Sequence, residues 1–418
     1  MTPESSTRQS VAIVGSGVAG ATAALTLRSE GFDGRVVLIG DEPDEPYRRP
    51  PLSKDVLRGS MPQERTRLKP PQTWQQQDIE LLTGTTVTRV DVGAQTLDLG
   101  DRGELCYDKL LLATGGRARR LPQTAPLAGV YTLRSLADVP APRAALTPGS
   151  SVLVIGAGLI GAEVAASARA MECSVMMLES EHTPLSRLLP PAISRVYADL
   201  HREQGVDLFT GVDVRRLERV DLGLLASDAH DNHWLADTVV VAIGMVPRTE
   251  LAEQAGIEVD NGIVVDEFFQ TSAPGVYAAG DVANQPNLVL GGRHRVEHWQ
   301  SAQEQGAAAA KSMVGDRTPF ARVPWCWSDQ YGVNLQVTGW PVAGDNVTVR
   351  GDLDALDFTA IFHRQGRLVG AVGVNRAAEV RALRKFVTEA PYAAAGVLAD
   401  PGTDLATIDP ATLSTVVT

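Results

Sequence analysis

Cysteine is scarce: the 418 residues include only Cys106, Cys173 and Cys326. They lie far apart and form no CxxC pair, which argues against a redox disulfide and against a cysteine-ligated iron–sulfur cluster. Any electron chemistry would have to come from a bound organic cofactor. Long apolar runs are also lacking, and none approaches the ~18 to 20 residues that span a bilayer. The opening stretch MTPESSTRQS is polar and leads straight into a strand. It has no charged-then-apolar signal profile, so a cytoplasmic chain with no membrane partner is expected. Positive charge is in deficit. A net charge of -12 disfavours sequence-independent attraction to phosphate backbones, and no nucleic-acid partner is expected.

What is present looks globular. Hydrophobic residues make up 44% and charged residues 21%, enough apolar surface for packed cores. The length exceeds one ordinary core and suggests roughly two to four domains. The clearest pattern, SVAIVGSGVAGATAALTLRSEG, reads as a buried strand, a turn with Gly15, Gly17 and Gly20, and an alanine-rich helix. This is G-x-G-x-x-G in the strand–turn–helix setting of a dinucleotide site. Gly15 permits the tight turn, Gly17 lets the backbone approach a pyrophosphate, and Gly20 lets the helix pack on the strand. The helix N-terminus then faces the phosphates. A second strand, RVVLIG, is followed by Asp41 and Glu42, near where an acid meets an adenosine ribose, although Gly40 holds the strand end where that acid usually stands.

The pattern recurs as SVLVIGAGLIGAEVAASARAMECSVMMLES, with Gly156, Gly158 and Gly161 after the strand and Glu179 ending the next. One such fingerprint can be mere tight packing; two full copies, each in context, leave little room for that reading. A carboxylate at Glu179 can accept both ribose hydroxyls and would repel a 2′-phosphate, so NADH should be preferred to NADPH. Arg187, downstream near His182, is a candidate for the adenine or the pyrophosphate. The segments DKLLLATGG (108–116) and DTVVVAIGM (237–245, containing Gly244) read as passages between two dinucleotide domains. A further apolar strand ends at Asp281, before the helical HWQSAQEQGAAAAKSM. Asp281 could serve only as an N-cap, worth about 1 kcal/mol.

Together, GSGVAG, the ATGG segment, GAGLIGAE and TSAPGVYAAGDVA resemble the glutathione-reductase-type two-dinucleotide-fold flavoproteins. YRRPPLSKDVLRG (47–59) and PWCWSDQYGVNLQVTG (324–339) narrow the resemblance to the FAD-dependent, putidaredoxin reductase-like ferredoxin reductases of bacterial oxygenase systems. Rubredoxin reductase and apoptosis-inducing factor are more distant relatives of that group. The resemblance implies an α/β fold of two Rossmann-like FAD/NAD-binding domains plus a C-terminal α+β domain. The FAD-binding domain would be discontinuous (1–114 and 245–323), with the NAD-binding domain at 115–244 and the C-terminal domain at 324–418. It implies FAD and NADH as cofactors. It also implies a separate [2Fe-2S] ferredoxin as partner, serving indirectly a cytochrome P450 or a ring-hydroxylating dioxygenase.

The same resemblance assigns site residues. Lys54 of PPLSK would lie beside the flavin, Glu163 would pair with it near the nicotinamide, and Trp327 would lie near both rings; these are the catalytic candidates. A cation at Lys54 would favour negative charge on the flavin. FAD contacts would come from Gly15, Gly17, Ala19, Gly20, Asp41, Arg49, Val87 through its backbone, Arg134, Asp281 on a ribityl hydroxyl, and Trp299. NADH contacts would come from Gly156, Gly158, Ile160, Gly161, Glu179, Arg187 and Gly244. Trp325 reads as packing. Cys326, where relatives carry an aromatic residue, reads as a small buried filler. No metal site is expected, nor a catalytic triad, because hydride transfer needs stacking and orientation more than an acid or base. Arg48, Arg49, Arg58, Arg65, Arg67 and Lys69, with Arg293 and Arg295, are expected to attract an acidic ferredoxin. Alternatives stay open: an NADH oxidase or peroxidase, although DEPDEPYRRPPLSK lacks the usual redox cysteine; a rubredoxin reductase; or a redox-sensing interaction protein like apoptosis-inducing factor.

Overall fold

The apolar runs beside the first glycine fingerprint form parallel strands, because near-continuous Val, Ile and Leu suit a sheet buried on both faces. Strand Ser10–Val14 lies between Lys109–Leu112 and Arg35–Ile39, with Val276–Ala278 and Ile79–Leu82 outside them, all parallel. Helix Val18–Ser29 follows the first strand and packs on helix Trp299–Met313. Their backbones approach so closely that a Cβ at Gly306 would lie 2.1 Å from the Ala19 carbonyl oxygen. A three-stranded antiparallel ribbon, Arg89–Asp91, Thr96–Asp98 and Glu104–Cys106, completes the pattern.

The repeat in the sequence is a repeat in topology. Strand Ser151–Ile155 lies between Thr238–Val241 and Ser174–Glu179, with Val130–Tyr131 and Val206–Thr210 outside, again all parallel. An antiparallel ribbon, Val214–Val220, Gly223–Asp228 and His233–Ala236, lies between Val206–Thr210 and Thr238–Val241 in chain order, as the first copy's ribbon lies between Ile79–Leu82 and Lys109–Leu112. Toward the C-terminus the pattern changes to five antiparallel strands ordered Trp325–Gln330, Val333–Gly339, Arg367–Val374, Asp357–Arg364 and Asn346–Asp352, with helix Ala377–Glu389 on them. This is the expected fold class: two Rossmann-like α/β repeats and a C-terminal α+β portion.

The structure, a computed structural model, describes residues 9–121, 127–393 and 395–413. The polar N-terminal stretch discussed above therefore lies, through residue 8, outside the described residues. Two compact units emerge: Met1–Arg48, Thr66–Arg117 and Val246–Arg322 form one, and Arg49–Arg65, Ala118–Met245 and Val323–Thr418 form the other. Residues 49–65, which fall within the stretch 1–114 expected for FAD, group with the second unit because Pro50–Ser53 and Asp55–Arg58 pack on helix Leu159–Ala170. The second parallel repeat and the antiparallel sheet share that unit. Ile193, Tyr197 and Leu200 of helix Pro191–Glu203 enter one core with Phe358, Phe362 and Val372. Of the two readings of Asp281, the helix N-cap is set aside: His298 holds that position before helix Trp299–Met313. Among the described residues, no helix is long and apolar enough to cross a membrane.

Candidate functional site

In the first unit the three fingerprint glycines separate into three roles. Gly15 has φ +112°, and a Cβ there would lie 2.1 Å from the Ala113 carbonyl oxygen. A Cβ on Gly20 would lie 2.0 Å from the Gly15 carbonyl oxygen. Both positions are therefore explained by the protein itself. Gly17 is not: a Cβ there meets nothing within 4 Å. It caps helix Val18–Ser29 without a side-chain hydrogen bond, and the first turn has no acidic residue. The free N–H groups thus face open space beside a bare backbone, as an anion requires.

The absent acid at residue 40 has a steric cause. A Cβ on Gly40 would lie 2.0 Å from the Ser16 hydroxyl oxygen, so the acidic function can only follow it. Asp41 is exposed and paired with Arg248 at 2.6 Å, while Glu42 accepts the Tyr47 hydroxyl. Ala19 is buried in the helix start and Val87 is buried in the irregular stretch 85–88. Asp281 follows Gly280, whose N–H donates to Gln305 Oε1 at 2.8 Å, and Trp299 opens its helix.

The second cradle repeats the first. Gly156 has φ +100°, a Cβ on Gly161 would lie 1.9 Å from the Gly156 carbonyl oxygen, and a Cβ on Gly158 meets nothing within 4 Å. Ile160, 42% exposed, stands beside the open position. Glu179 differs from its counterpart in being firmly held. Its Oε2 accepts the Ala157 N–H at 2.6 Å and its Oε1 the Glu181 N–H at 3.0 Å. These bonds aim the carboxylate at the glycine turn and leave lone pairs for further donors. Gly244, at φ +97°, lies close to Arg187: a Cβ there would be 3.5 Å from the guanidinium. Arg187 and His182 line a cavity of about 310 Å³ with Glu181 and Trp340.

Within the same unit lies a buried ion pair. Lys54 Nζ is 2.9 Å from Glu163 Oε1, with side-chain exposures of 10% and 5%. Lys54 follows the turn Pro50–Ser53, and Glu163 projects from the first half of helix Leu159–Ala170. Burying such a pair is costly unless every remaining lone pair is met. Here it is met. Ser53 donates to Glu163 Oε2 and Ser328 donates to Oε1 at 2.7 Å. Burial pushes the Glu163 carboxyl above the ordinary carboxylate range, while Lys54, Ser53 and Ser328 pull it back.

Trp327 stacks on Trp325 with ring centroids 5.2 Å apart and planes 25° apart. Between them Cys326 points to the buried face, its thiol pushed up to about 12 by desolvation and then by Glu163, which suits a filler and not a nucleophile. Arg49 donates to the Arg134 carbonyl at 2.6 Å, and the Arg134 N–H donates to Asp138.

The arginines expected to attract an acidic partner are largely engaged within the fold. Arg58 pairs with Asp55, Arg67 with Glu45 and Arg295 with Glu297, and Arg293 donates to the Val265 carbonyl. Arg48, Arg65 and Lys69 are exposed. Among the described residues, no group of three His, Cys, Asp or Glu side chains could hold a metal ion. All three cysteines are free. Sequence reasoning missed Ser53 and Ser328. The alternation in WCWSDQ, which sends Cys326, Ser328 and Gln330 to one face, was the available signal.

Residues 9–306 match the family described as pyridine nucleotide-disulphide oxidoreductase, and residues 325–408 match the one described as reductase C-terminal. The chain belongs to the pyridine nucleotide-disulphide oxidoreductase family. It is 40% identical over 387 residues to rhodocoxin reductase from Rhodococcus erythropolis, covering 91% of this chain and 90% of that protein. It is 39% identical over 395 residues to the ferredoxin–NAD(+) reductase component of an anthranilate 1,2-dioxygenase system from Burkholderia cepacia, covering 93% and 95%. Its fold matches a crystal structure of the covalent putidaredoxin reductase–putidaredoxin complex with a TM-score of 0.91 and 35% identity, covering 95% of this chain and 97% of that one. The resemblance seen in PPLSK and WCWSDQ, to the ferredoxin reductases of bacterial oxygenase systems, is borne out by these relatives within the family.

Proposed function

We propose that this protein is an NADH-dependent FAD flavoprotein that passes electrons to a separate [2Fe-2S] ferredoxin serving a cytochrome P450 or a ring-hydroxylating dioxygenase. The observation that carries this reading is the duplicated cradle: Gly17 and Gly158 each leave open space at an uncapped helix start. Two dinucleotides in one chain, with no cysteine pair to relay electrons, leave the exchange to the cofactors. The relatives named above as reductases of ferredoxin systems support the choice of acceptor. The overall balance is NADH plus two oxidised ferredoxins giving NAD+, one proton and two reduced ferredoxins. The cytoplasm, where NADH is replenished, is the proposed location.

The residues divide accordingly. FAD belongs to the first cradle, with Gly15, Gly17, Ala19 and Gly20 at its pyrophosphate, Asp41 at the ribose, Val87, Asp281 and Trp299 along its length, and Arg49 and Arg134 as further contacts. NADH belongs to the second, with Gly156, Gly158, Ile160, Gly161, Gly244 and Arg187 around its phosphates and adenine. Glu179 accepts the ribose hydroxyls and repels a 2′-phosphate. When bound, FAD supplies a two-electron acceptor that can return electrons singly. Lys54 contributes a fixed positive charge where negative charge develops, and Glu163 holds its ammonium in place. Trp327 offers a flat apolar face that orients rings and excludes water.

Anaerobic rapid mixing tests the reading. NADH should bleach the flavin of the isolated protein in one fast phase, and Lys54→Ala should slow that phase about 10- to 100-fold while FAD stays bound. Traces that overlay the parent at saturating NADH would remove Lys54 from the chemistry.

A further inference from the structure

We propose that His201, acting through Gln330 and Ser328 and braced by Tyr331, is a positioning residue for Glu163: a one-way chain of donated hydrogen bonds that keeps the buried carboxylate ionised and aimed at Lys54. The consequence for turnover rests on the part assigned to Glu163 above; the chain itself does not.

The bonds fix their own direction. Gln330 Nε2 donates to Ser328 Oγ at 3.1 Å, which turns its amide oxygen toward His201 Nε2 at 3.0 Å. An amide oxygen only accepts, so His201 Nε2 carries the proton and Nδ1 is the acceptor. Nδ1 then accepts a hydrogen bond from the Tyr331 hydroxyl at 2.9 Å. Ser328, already accepting from Gln330, donates a hydrogen bond to Glu163 Oε1 at 2.7 Å. Four successive donors point one way and end on an anion, where such bonds are strongest and reinforce one another.

Packing alone does not call for this chain. His201 lies on helix Pro191–Glu203 among core residues, where an apolar side chain would serve. Yet His201, Ser328 and Gln330 are 0%, 0% and 1% exposed, a placement tolerated only because each finds a partner. Tyr331 sits at φ +54° and Gly332 at +78°, the two central positions of a type I′ hairpin turn. Asn-Gly is the easy choice there. A tyrosine accepts the strained backbone and gains the bond to His201 and an edge-on ring contact at 5.2 Å.

The charged and titratable groups around the chain are few. Lys54 and the Cys326 thiol face Glu163, Arg169 faces Tyr331, and Asp329 faces Tyr197 on the helix of His201. Burial holds the His201 imidazole down to about 4. Over the working pH range His201 therefore stays neutral and the chain keeps its direction, while Glu163 is the group whose ionisation it governs.

The test uses the full chain with its flavin bound. Glu163 is followed by its infrared carboxyl band, identified by its loss in Glu163→Gln, and the rate of flavin reduction at saturating NADH is measured across the same pH range. Ser328→Ala, which removes the last donor, should raise the Glu163 midpoint by about one pH unit. His201→Phe and Tyr331→Phe should move it the same way by less. The double variant Ser328→Ala/His201→Phe should move it no further than Ser328→Ala alone, because the chain is already cut, and Ser328→Thr should restore the parent value. Tyr331→Phe, at a half-buried turn, keeps the test open if Ser328→Ala fails to fold. An unmoved midpoint in both His201→Phe and Tyr331→Phe, or shifts that simply add in the double variant, would overturn the proposal. If the infrared midpoint moves as expected while the rate profile does not, the chain stands and the role given to Glu163 in NADH oxidation falls.

Discussion

Glu179 is fixed by two backbone N–H groups, so the ribose preference proposed for it would be pre-organised. In the proposed NADH site its negative charge would meet two hydroxyl donors in NADH and a phosphate in NADPH. Glu179→Gln should narrow the NADH-over-NADPH ratio of kcat/KM by about 10- to 100-fold, mostly through KM. Steady-state kinetics with both nucleotides checks this, and an unchanged ratio would contradict it. His201 makes a prediction about stability. Burial lowers its imidazole from the ordinary 6.5 to about 4 in the fold, so between these values the unfolded chain binds more protons. Stability from this group is whole above the upper value and falls as pH drops toward the lower, by about 3 kcal/mol in all. Denaturant unfolding across that window should show a slope in the parent that is shallower by about one proton in His201→Phe. Lys54 and Glu163 were legible because each sits in a short local motif. Ser328 and His201 were not. Alternation marks Ser328 as inward-facing but does not name its partner, a carboxylate 165 residues away, and His201, which meets a glutamine 129 residues away, has no local signature.

At the level of elements, the two strand–turn–helix units were the most legible part of the chain, since the glycine positions and the apolar runs specify the same local geometry. The structure adds which glycine does what. Gly161→Ala places a methyl against the Gly156 carbonyl and should cost about 3 kcal/mol or prevent folding. Gly158→Ala meets open space at an allowed backbone conformation, so thermal unfolding should change by less than about 1 kcal/mol while KM for NADH rises markedly. Equal loss of stability in the two variants would mean that Gly158 is a packing residue and that the open space is not a nucleotide site. Asp281 stands well before the helix and not at its start. Its strand ends at Ala278, and the chain then makes two short pairings, Ala283–Pro286 and Arg293–His294, before the helix begins. Segments this short carry no periodicity to mark them.

For the whole molecule, topology followed from the repeat but grouping did not. Residues 49–65 join the second unit through packing on helix Leu159–Ala170, a long-range preference invisible in the order of motifs. Charge also reads differently at this scale: of the basic side chains expected to attract an acidic partner, Arg58, Arg67 and Arg295 pair with acids of the fold, while Arg48, Arg65 and Lys69 are exposed. What survives is a chain with two dinucleotide cradles and no cysteine relay, whose electrons must leave through an external carrier. The direct measurement is anaerobic stopped-flow mixing of the NADH-reduced protein with an oxidised [2Fe-2S] ferredoxin from an oxygenase system. The account predicts that two ferredoxins are reduced per flavin reoxidised, at a rate that rises with ferredoxin concentration. A flavin that NADH reduces readily but that only oxygen reoxidises, with every ferredoxin tested left oxidised, would contradict it.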